Sequence, residues 1–133
     1  MTGAAAETAG ADEFVQVAIV YRGREVLVFR NGKPYASYAL ANPPQAFGPQ
    51  AVVMFGRRHL DVREPERAFA GRIKDARIYA QPLDAATIAS LVPGQASEPK
   101  PWAWWSFADD GLRERTGRFN QAHWSRGVRV ENG

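Results

Sequence analysis

Apolar residues occur in short runs separated by turn-forming residues, and the clearest case surrounds Asn31-Gly32. Residues 25–30 and 33–38 on either side are rich in β-branched and aromatic side chains. Asn and Gly readily adopt the positive φ angles that a two-residue hairpin turn needs. The pattern therefore predicts a β-hairpin at Asn31-Gly32. Pro34 has no N–H to donate, so we expect it on an edge strand or near the start of its strand.

The other apolar runs are equally short and predict strands at residues 14–21, 51–56, 69–79, 102–107 and, in one or two pieces, 121–130. The first run is apolar on nearly both faces, which is typical of a strand in the middle of a packed sandwich. In the 69–79 strand we expect a bend or bulge near Asp75. A single short helix is predicted, with Asp84 as its N-cap and Pro93-Gly94 ending it.

Composition indicates one globular domain and excludes several classes of protein. The chain has 133 residues, 45% of them hydrophobic, which is enough for a core. It has no cysteine, so disulfides and thiolate chemistry are excluded. The net charge of +3 is mild and the arginines are scattered, so we expect no nucleic-acid partner. No apolar run reaches membrane-spanning length, so we expect no membrane partner either.

The order of the motifs points to a family. Along the chain these stretches follow one another: 17–21, 28–33, 53–56, 69–79, 82–84 and 88–91. Together they resemble the C-terminal half of a laminin-G-like domain of the concanavalin A-like lectin/glucanase superfamily, over about residues 14–92. The resemblance implies an all-β fold, a jelly-roll sandwich of two antiparallel sheets. It also suggests an extracellular or periplasmic location.

The remaining residues resemble the same family in an unusual order. Trp104-Trp105-Ser106-Phe107 and the loop at 114–120 are similar to the beginning of such a domain, yet they come last here. Either the chain spans the end of one repeat and the start of the next, or it is a permuted, reduced sandwich. The predicted divisions are a flexible leader without an export signal, a sandwich portion, a linker and a final group of strands packed on the same sandwich, at 1–13, 14–92, 93–101 and 102–133.

Strands of the middle of such a domain are missing from this order, and this has a physical consequence. An incomplete sandwich exposes apolar inner faces and unpaired strand edges. We therefore predict a homodimer, a strand exchange or a partner chain that completes the sandwich.

Carbohydrate recognition is the function that the resemblance implies, and the aromatic residues near the C-terminus support it. Side chains alternate along a strand, so Trp102 and Trp104 share one face while Trp105 and Phe107 share the other. If the second pair fills the core, the first pair can stack on the apolar face of a polysaccharide or oligosaccharide. The alternative is that all are core or interface aromatics, which is the more frequent use of such residues. The carbohydrate-binding candidates are Trp102, Trp104, Trp124 and Tyr38, the last two leaning further toward packing.

Calcium is the cofactor that the resemblance suggests, because in many members of the superfamily an ion joins the early loop to the late strand. The corresponding oxygen ligands here are Asp75 with Glu114 or Asn120. Arg113 and Arg115 flank Glu114 and weaken an anionic site. The alternative is that Asp75 pairs with an arginine.

Catalysis has less support. Asp109 and Asp110 are adjacent, so on a strand they point to opposite faces and cannot flank one glycosidic bond. The E-x-D-x-x-E arrangement of the glucanases is absent, and His59 and His123 have no partners at catalytic spacing. Three hypotheses remain: a non-catalytic carbohydrate-binding module accessory to a polysaccharide-degrading enzyme, a structural or protein-interaction module, and a small glycoside-active enzyme whose site forms in an oligomer.

Overall fold

The computed structural model describes residues 5–56, 69–107, 113–120, 123 and 129. Its elements, in chain order, are β1 (Val17–Arg22), β2 (Glu25–Arg30), β3 (Lys33–Ala39), β4 (Asp75–Ile78), α1 (Ala85–Ser90) and β5 (Ala103–Ser106). The first three strands form an antiparallel sheet in the order β1-β2-β3, and β4 pairs antiparallel with β5. The predicted all-β class with antiparallel sheets and one short helix is confirmed. Within these residues, no helix is long and apolar enough to cross a bilayer.

The hairpin at Asn31-Gly32 forms as the sequence predicts. Asn31 has φ 49° and Gly32 φ 72°, so both turn residues adopt the left-handed conformation. Pro34 is the second residue of β3, an edge strand of this sheet, and faces Phe29 where the pairing register shifts. The position that lacks an N–H therefore falls beside an irregularity in the ladder.

One face of the three-stranded sheet is covered by the helix. Val20 and Phe29 are buried against Ile88 of α1, and four half-buried residues extend this cluster, namely Ala18, Leu27, Leu83 and Ala85. Asp84 caps the helix, since its Oδ1 accepts a hydrogen bond from Thr87 N at 2.8 Å. A helix of six residues is not stable alone, so this packing is what maintains it.

The turn of the hairpin lies directly against the same helix. A Cβ atom at Gly32 would come within 2.5 Å of Ala89 Cβ and 2.7 Å of Ala89 Cα. The side-chain amide of Gln16 donates to Ile88 O at 2.8 Å, and its backbone N–H donates to Asn31 Oδ1 at 2.9 Å. Glycine is therefore required at position 32 both for the turn and for the close approach of the helix.

A second cluster, of aromatic rings, lies at the β4–β5 pair. Phe55 contacts Trp105 and Phe107 edge-on, with ring centroids 5.2 Å apart in both cases. The prediction of a strand at 51–56 was wrong. This segment packs through the Phe55 ring and belongs to none of the strands among the described residues. The strand predicted at 69–79 is shorter, since it begins at Asp75, where a bend was expected.

The prediction that the first strand is covered on both faces was also wrong. Val17, Ile19 and Tyr21 of β1 have relative exposures of 63%, 56% and 51%. In the sheet formed by the described residues, β1 is an edge strand. An apolar run looks the same in sequence whether or not another layer covers it, which is why the pattern could not distinguish the two cases.

Some predictions concern other parts of the chain. Three candidate residues lie outside the described residues, namely His59, Asp109 and Asp110. So do the strands predicted at 121–130, apart from His123 and Arg129, which are exposed. The predicted leader makes contacts with the hairpin, because Ala5 O accepts a hydrogen bond from the Tyr35 hydroxyl and Glu7 pairs with Arg30. The domain boundaries stay predictions.

Replacing Gly32 by Ala tests the contact between hairpin and helix. We expect Gly32→Ala to destabilise the fold by about 2 to 4 kcal/mol, from the positive φ and from overpacking against Ala89. Gly23→Ala is the matched control, because Gly23 has φ 60° and open space around its missing Cβ. It should cost only about 1 to 2 kcal/mol. Equal losses in denaturant unfolding would contradict the close packing.

Candidate functional site

The pairing of β4 with β5 determines which side chains share a surface. Asp75 faces Ser106 and Arg77 faces Trp104 across the two strands. Because side chains alternate, these four residues lie on one face, which we call the polar face, while Trp105 lies on the other face with the aromatic cluster. The two faces of β5 therefore have different roles, as the alternation in sequence predicts.

Trp104 is the central residue of the polar face. The Cζ atoms of Arg77 and Arg115 lie 4.7 and 4.6 Å from the centroid of its ring. Arg77 comes from β4, whereas Arg115 follows Glu114, which forms a bridge to Trp105 on the other side of β5. The two guanidinium groups thus approach the indole from opposite sides, a cation–π arrangement. The indole N–H donates to Asp75 Oδ2 at 2.9 Å, so the ring is held at its edge as well.

Asp75 and Arg77 also attach the segment that connects α1 to β5. Arg77 Nε donates to Asp75 Oδ1 at 2.7 Å, and both side chains are almost completely buried. Arg77 Nη2 donates to Val92 O and Gln95 O, at 2.8 and 2.7 Å, and Gly94 N donates to Asp75 Oδ2 at 2.8 Å. Asp75 is therefore the partner of an arginine, Arg77, which is the alternative that the sequence left open.

Glu114 organises the loop that follows β5. It is only 3% exposed. Its Oε1 accepts hydrogen bonds from Trp104 N and Thr116 N, at 2.8 and 2.9 Å, and its Oε2 accepts from Arg118 N and Phe119 N, at 2.9 and 3.4 Å. Burial alone would raise the pKa of Glu114, but these backbone donors outweigh it and lower the pKa to about 2.

Trp102 precedes β5 and is accessible to solvent, with a relative exposure of 42%. Its ring packs edge-on against Phe119, with centroids 5.5 Å apart, and Arg118 Cζ lies 5.7 Å from its centroid. Its carbonyl oxygen accepts a hydrogen bond from Thr116 Oγ1 at 3.1 Å. The loop held by Glu114 thus positions the indole of Trp102 without covering it.

An open depression of about 580 Å³ lies beside Trp104. The residues that line it are Trp104, Arg113, Glu114, Arg115, Thr116 and Gly117. The Glu114 carboxylate is directed to backbone N–H groups, so the exposed charge of the depression comes from arginine. The arrangement can present hydrogen-bond donors to a polar ligand beside an aromatic surface.

The residues suggested for calcium do not fit an ion in this arrangement. Each carboxylate oxygen of Asp75 and Glu114 accepts at least one N–H hydrogen bond, and Ca²⁺ needs six to eight oxygen ligands. The two side chains reach β5 from opposite sides, and Asn120 is exposed. Across the described ranges, no three acidic, histidine or cysteine side chains are grouped to hold a metal.

The carbohydrate-binding candidates fall in different places. Trp102 and Trp104 lie near each other at β5, while Tyr38 is half-buried on β3, in the other sheet. Within the described part of the chain, no ring contact or hydrogen bond joins Tyr38 to these tryptophans. Trp124 lies outside the described residues. No observation tests the sugar-binding role of these residues, which stays a prediction.

Sequence reasoning missed the arginines that surround the two indoles. For Arg77 a signal existed, since Asp75 and Arg77 alternate on a strand as Trp102 and Trp104 do. The role of Glu114 was missed because its partners are backbone N–H groups. A local sign was present in the sequence: Glu114 comes two residues before Thr116-Gly117, where a turn is expected, and Gly117 has φ 74°.

Comparison with known proteins gives a family and a fold. A laminin-G family model, described as concanavalin A-like lectin/glucanases superfamily, matches residues 2–89. A solved structure of an S-layer domain-containing protein from Clostridium thermocellum (residues 221–444) is similar, with a TM-score of 0.53 and 21% identity. The alignment covers 64% of this chain and 42% of that one, so this chain spans less than half of it. No curated protein matches.

The low pKa of Glu114 makes a pH-dependent prediction. The carboxylate stabilises the fold fully above the ordinary glutamate pKa of 4.5, and this stabilisation is lost as the pH falls toward about 2. At pH 7 we expect Glu114→Gln to cost on the order of 2 to 4 kcal/mol, because the negative charge is lost and an NH₂ group, which cannot accept, replaces one of the two oxygens to which buried N–H groups donate. The difference from the wild type, measured by urea unfolding, should shrink between these pH values.

Glu25→Gln is the matched control, since it makes the same substitution at an exposed position of β2. It should leave the free energy of unfolding nearly unchanged at pH 7. A difference between wild type and Glu114→Gln that stays constant from pH 6 to acid would contradict the proposed hydrogen bonding.

Proposed function

The chain belongs to the concanavalin A-like lectin/glucanase superfamily, and on that premise we propose that it is a non-catalytic carbohydrate-binding module. It would serve as an accessory to a polysaccharide-degrading enzyme. The observation that carries the proposal is the accessible indole of Trp102, a residue whose carbonyl oxygen is bonded to Thr116 in the lining of the arginine-containing depression. A flat aromatic surface next to directional donors is the combination that sugar rings need, because they have apolar faces and polar edges.

Trp102 is the better of the two indoles for stacking. Two guanidinium groups already approach Trp104 from opposite sides, so a sugar could reach its faces only by displacing one of them. Trp102 has one perpendicular ring contact, with Phe119, and one guanidinium, of Arg118, at the longer distance of 5.7 Å. We therefore assign the stacking role to Trp102, and to Trp104 the role of a fixed wall of the depression.

The arginines supply the polar part of the interaction. Arg113 and Arg115 line the depression, and Arg118 lies over Trp102. A guanidinium presents several N–H donors in a planar fork, which suits the hydroxyl or carboxylate oxygens of a sugar. The backbone under these side chains is held by Glu114, so the loop is ordered before a ligand arrives.

A structural or protein-interaction module is the second candidate. The apolar side chains exposed along β1 favour it, because monomeric proteins rarely leave contiguous apolar surface in contact with water. Its distinguishing prediction is that no glycan binds while the chain still associates with protein. A glycoside-active enzyme would instead release reducing sugars from the substrates that it binds.

The test is affinity electrophoresis of the chain in gels that contain neutral or acidic polysaccharides. We expect retardation by at least one polysaccharide, and Trp102→Ala should weaken the affinity by about 10-fold or more, the usual cost of removing a stacking aromatic. Phe47→Ala is the matched control, since Phe47 is an exposed aromatic residue of the 40–50 loop. It should bind as the wild type does.

Two results would count against this function. One is the absence of retardation across a broad panel of soluble and insoluble glycans. The other is retention that Trp102→Ala leaves unchanged while Phe47→Ala weakens it, which would place the ligand elsewhere on the surface.

A further inference from the structure

In the described part of the chain, β1 exposes both apolar side chains and the edge of a sheet. Val17, Ile19 and Tyr21 present apolar side chains to solvent on the face of the sheet opposite α1. The same strand is an edge of the three-stranded sheet in the described part of the chain. An apolar edge strand is a template for pairing with another strand, and proteins usually protect such edges with charge, proline or a covering element.

The register of the hairpin shows which backbone groups of β1 point outward. Asn31 N donates to Gln16 O at 2.9 Å, so the backbone of Gln16 faces β2. The direction of the backbone N–H and C=O groups alternates along an antiparallel strand, so those of Ala18 and Val20 also point toward β2. The N–H and C=O groups of Val17, Ile19 and Tyr21 therefore point away from the sheet. The residues with exposed apolar side chains are the ones whose backbone can accept a new strand.

We propose that β1 is a dimerisation edge, and that a second copy of the chain pairs its own β1 antiparallel to the first, with Ile19 facing Ile19 on the two-fold axis. The two three-stranded sheets then form one continuous six-stranded sheet. This inference is independent of sugar binding, because it concerns a different sheet from the one that carries Trp102.

This register is self-complementary. With Ile19 on the axis, Val17 of each copy faces Tyr21 of the other, so the outward backbone groups of both strands are paired. The exposed apolar side chains fall on one common face, where cross-strand pairs of aromatic and β-branched residues are favourable. At the ends of the strand Arg22 faces Gln16, so the register brings no like charges together. Such a symmetric contact closes after two copies.

The first test is the association state of the full chain by sedimentation velocity, from low micromolar to submillimolar concentration. We expect a reversible monomer–dimer equilibrium. Ile19→Arg places two arginines against each other on the axis and should weaken the dimer by about 100-fold or more. Val52→Arg is the matched control, because Val52 is an exposed valine outside the strands, and it should leave the dimer intact.

Cysteine cross-linking tests the register, and it decides the matter if Ile19→Arg fails to fold. The chain has no cysteine, so each introduced thiol is the only one. Ile19→Cys should form a disulfide dimer under mild oxidation, since facing residues of a hydrogen-bonded pair are about 5.5 Å apart at Cα. Val17→Cys alone should not, because four residues separate the two thiols by about 13 Å. A mixture of Val17→Cys and Tyr21→Cys should cross-link again.

A monomer at every concentration would overturn the proposal, as would a dimer that Ile19→Arg does not weaken. Cross-linking of Val17→Cys alone as efficient as that of Ile19→Cys would rule out this register. In each of these cases β1 would not be a dimerisation edge of the proposed geometry, and a glycan result would be unaffected.

Discussion

The buried pair of Asp75 and Arg77 is the interaction on which the arrangement of the site depends. It lies on β4, yet its remaining hydrogen-bonding groups reach the 92–95 segment and the indole of Trp104. The pair therefore attaches the final aromatic strand, and the segment leading to it, to the part of the chain that carries the family motifs. Removing either charge would leave the other buried without an opposite charge beside it, which is a costly state.

Local chemistry made much of the fold predictable. The turn at Asn31-Gly32 and the cap at Asp84 depend on residues close in sequence, and both form as expected. Residues 51–56 have the composition of a strand but pack through Phe55, and composition cannot distinguish these uses. The exposure of Ile19 was equally hidden, because it depends on which layer lies above β1. The register of a strand and the layer that covers it depend on residues distant in sequence, so local patterns do not predict them.

The site shows the same division between local and non-local information. Alternation along β5 correctly separated Trp105 from Trp104. It could not show that Arg115 would return to the opposite side of the indole, since that contact follows from the loop that Glu114 holds. The buried carboxylate of Glu114 thus orders this loop. The loop in turn positions Trp102 and carries the arginines that line the depression. Two tryptophans that look equivalent in sequence consequently have different roles, one fixed and one accessible.

The distinction between these two tryptophans can be measured directly. In a ¹H–¹⁵N correlation spectrum of the chain with ¹⁵N-labelled indoles, assigned by single Trp→Phe substitutions, an oligosaccharide that binds is titrated in. We expect the indole signal of Trp102 to shift with saturation and by more than that of Trp104, whose indole N–H, hydrogen-bonded to Asp75, exchanges slowly with solvent. A titration that shifts Trp104 and leaves Trp102 unchanged would contradict the roles assigned to them.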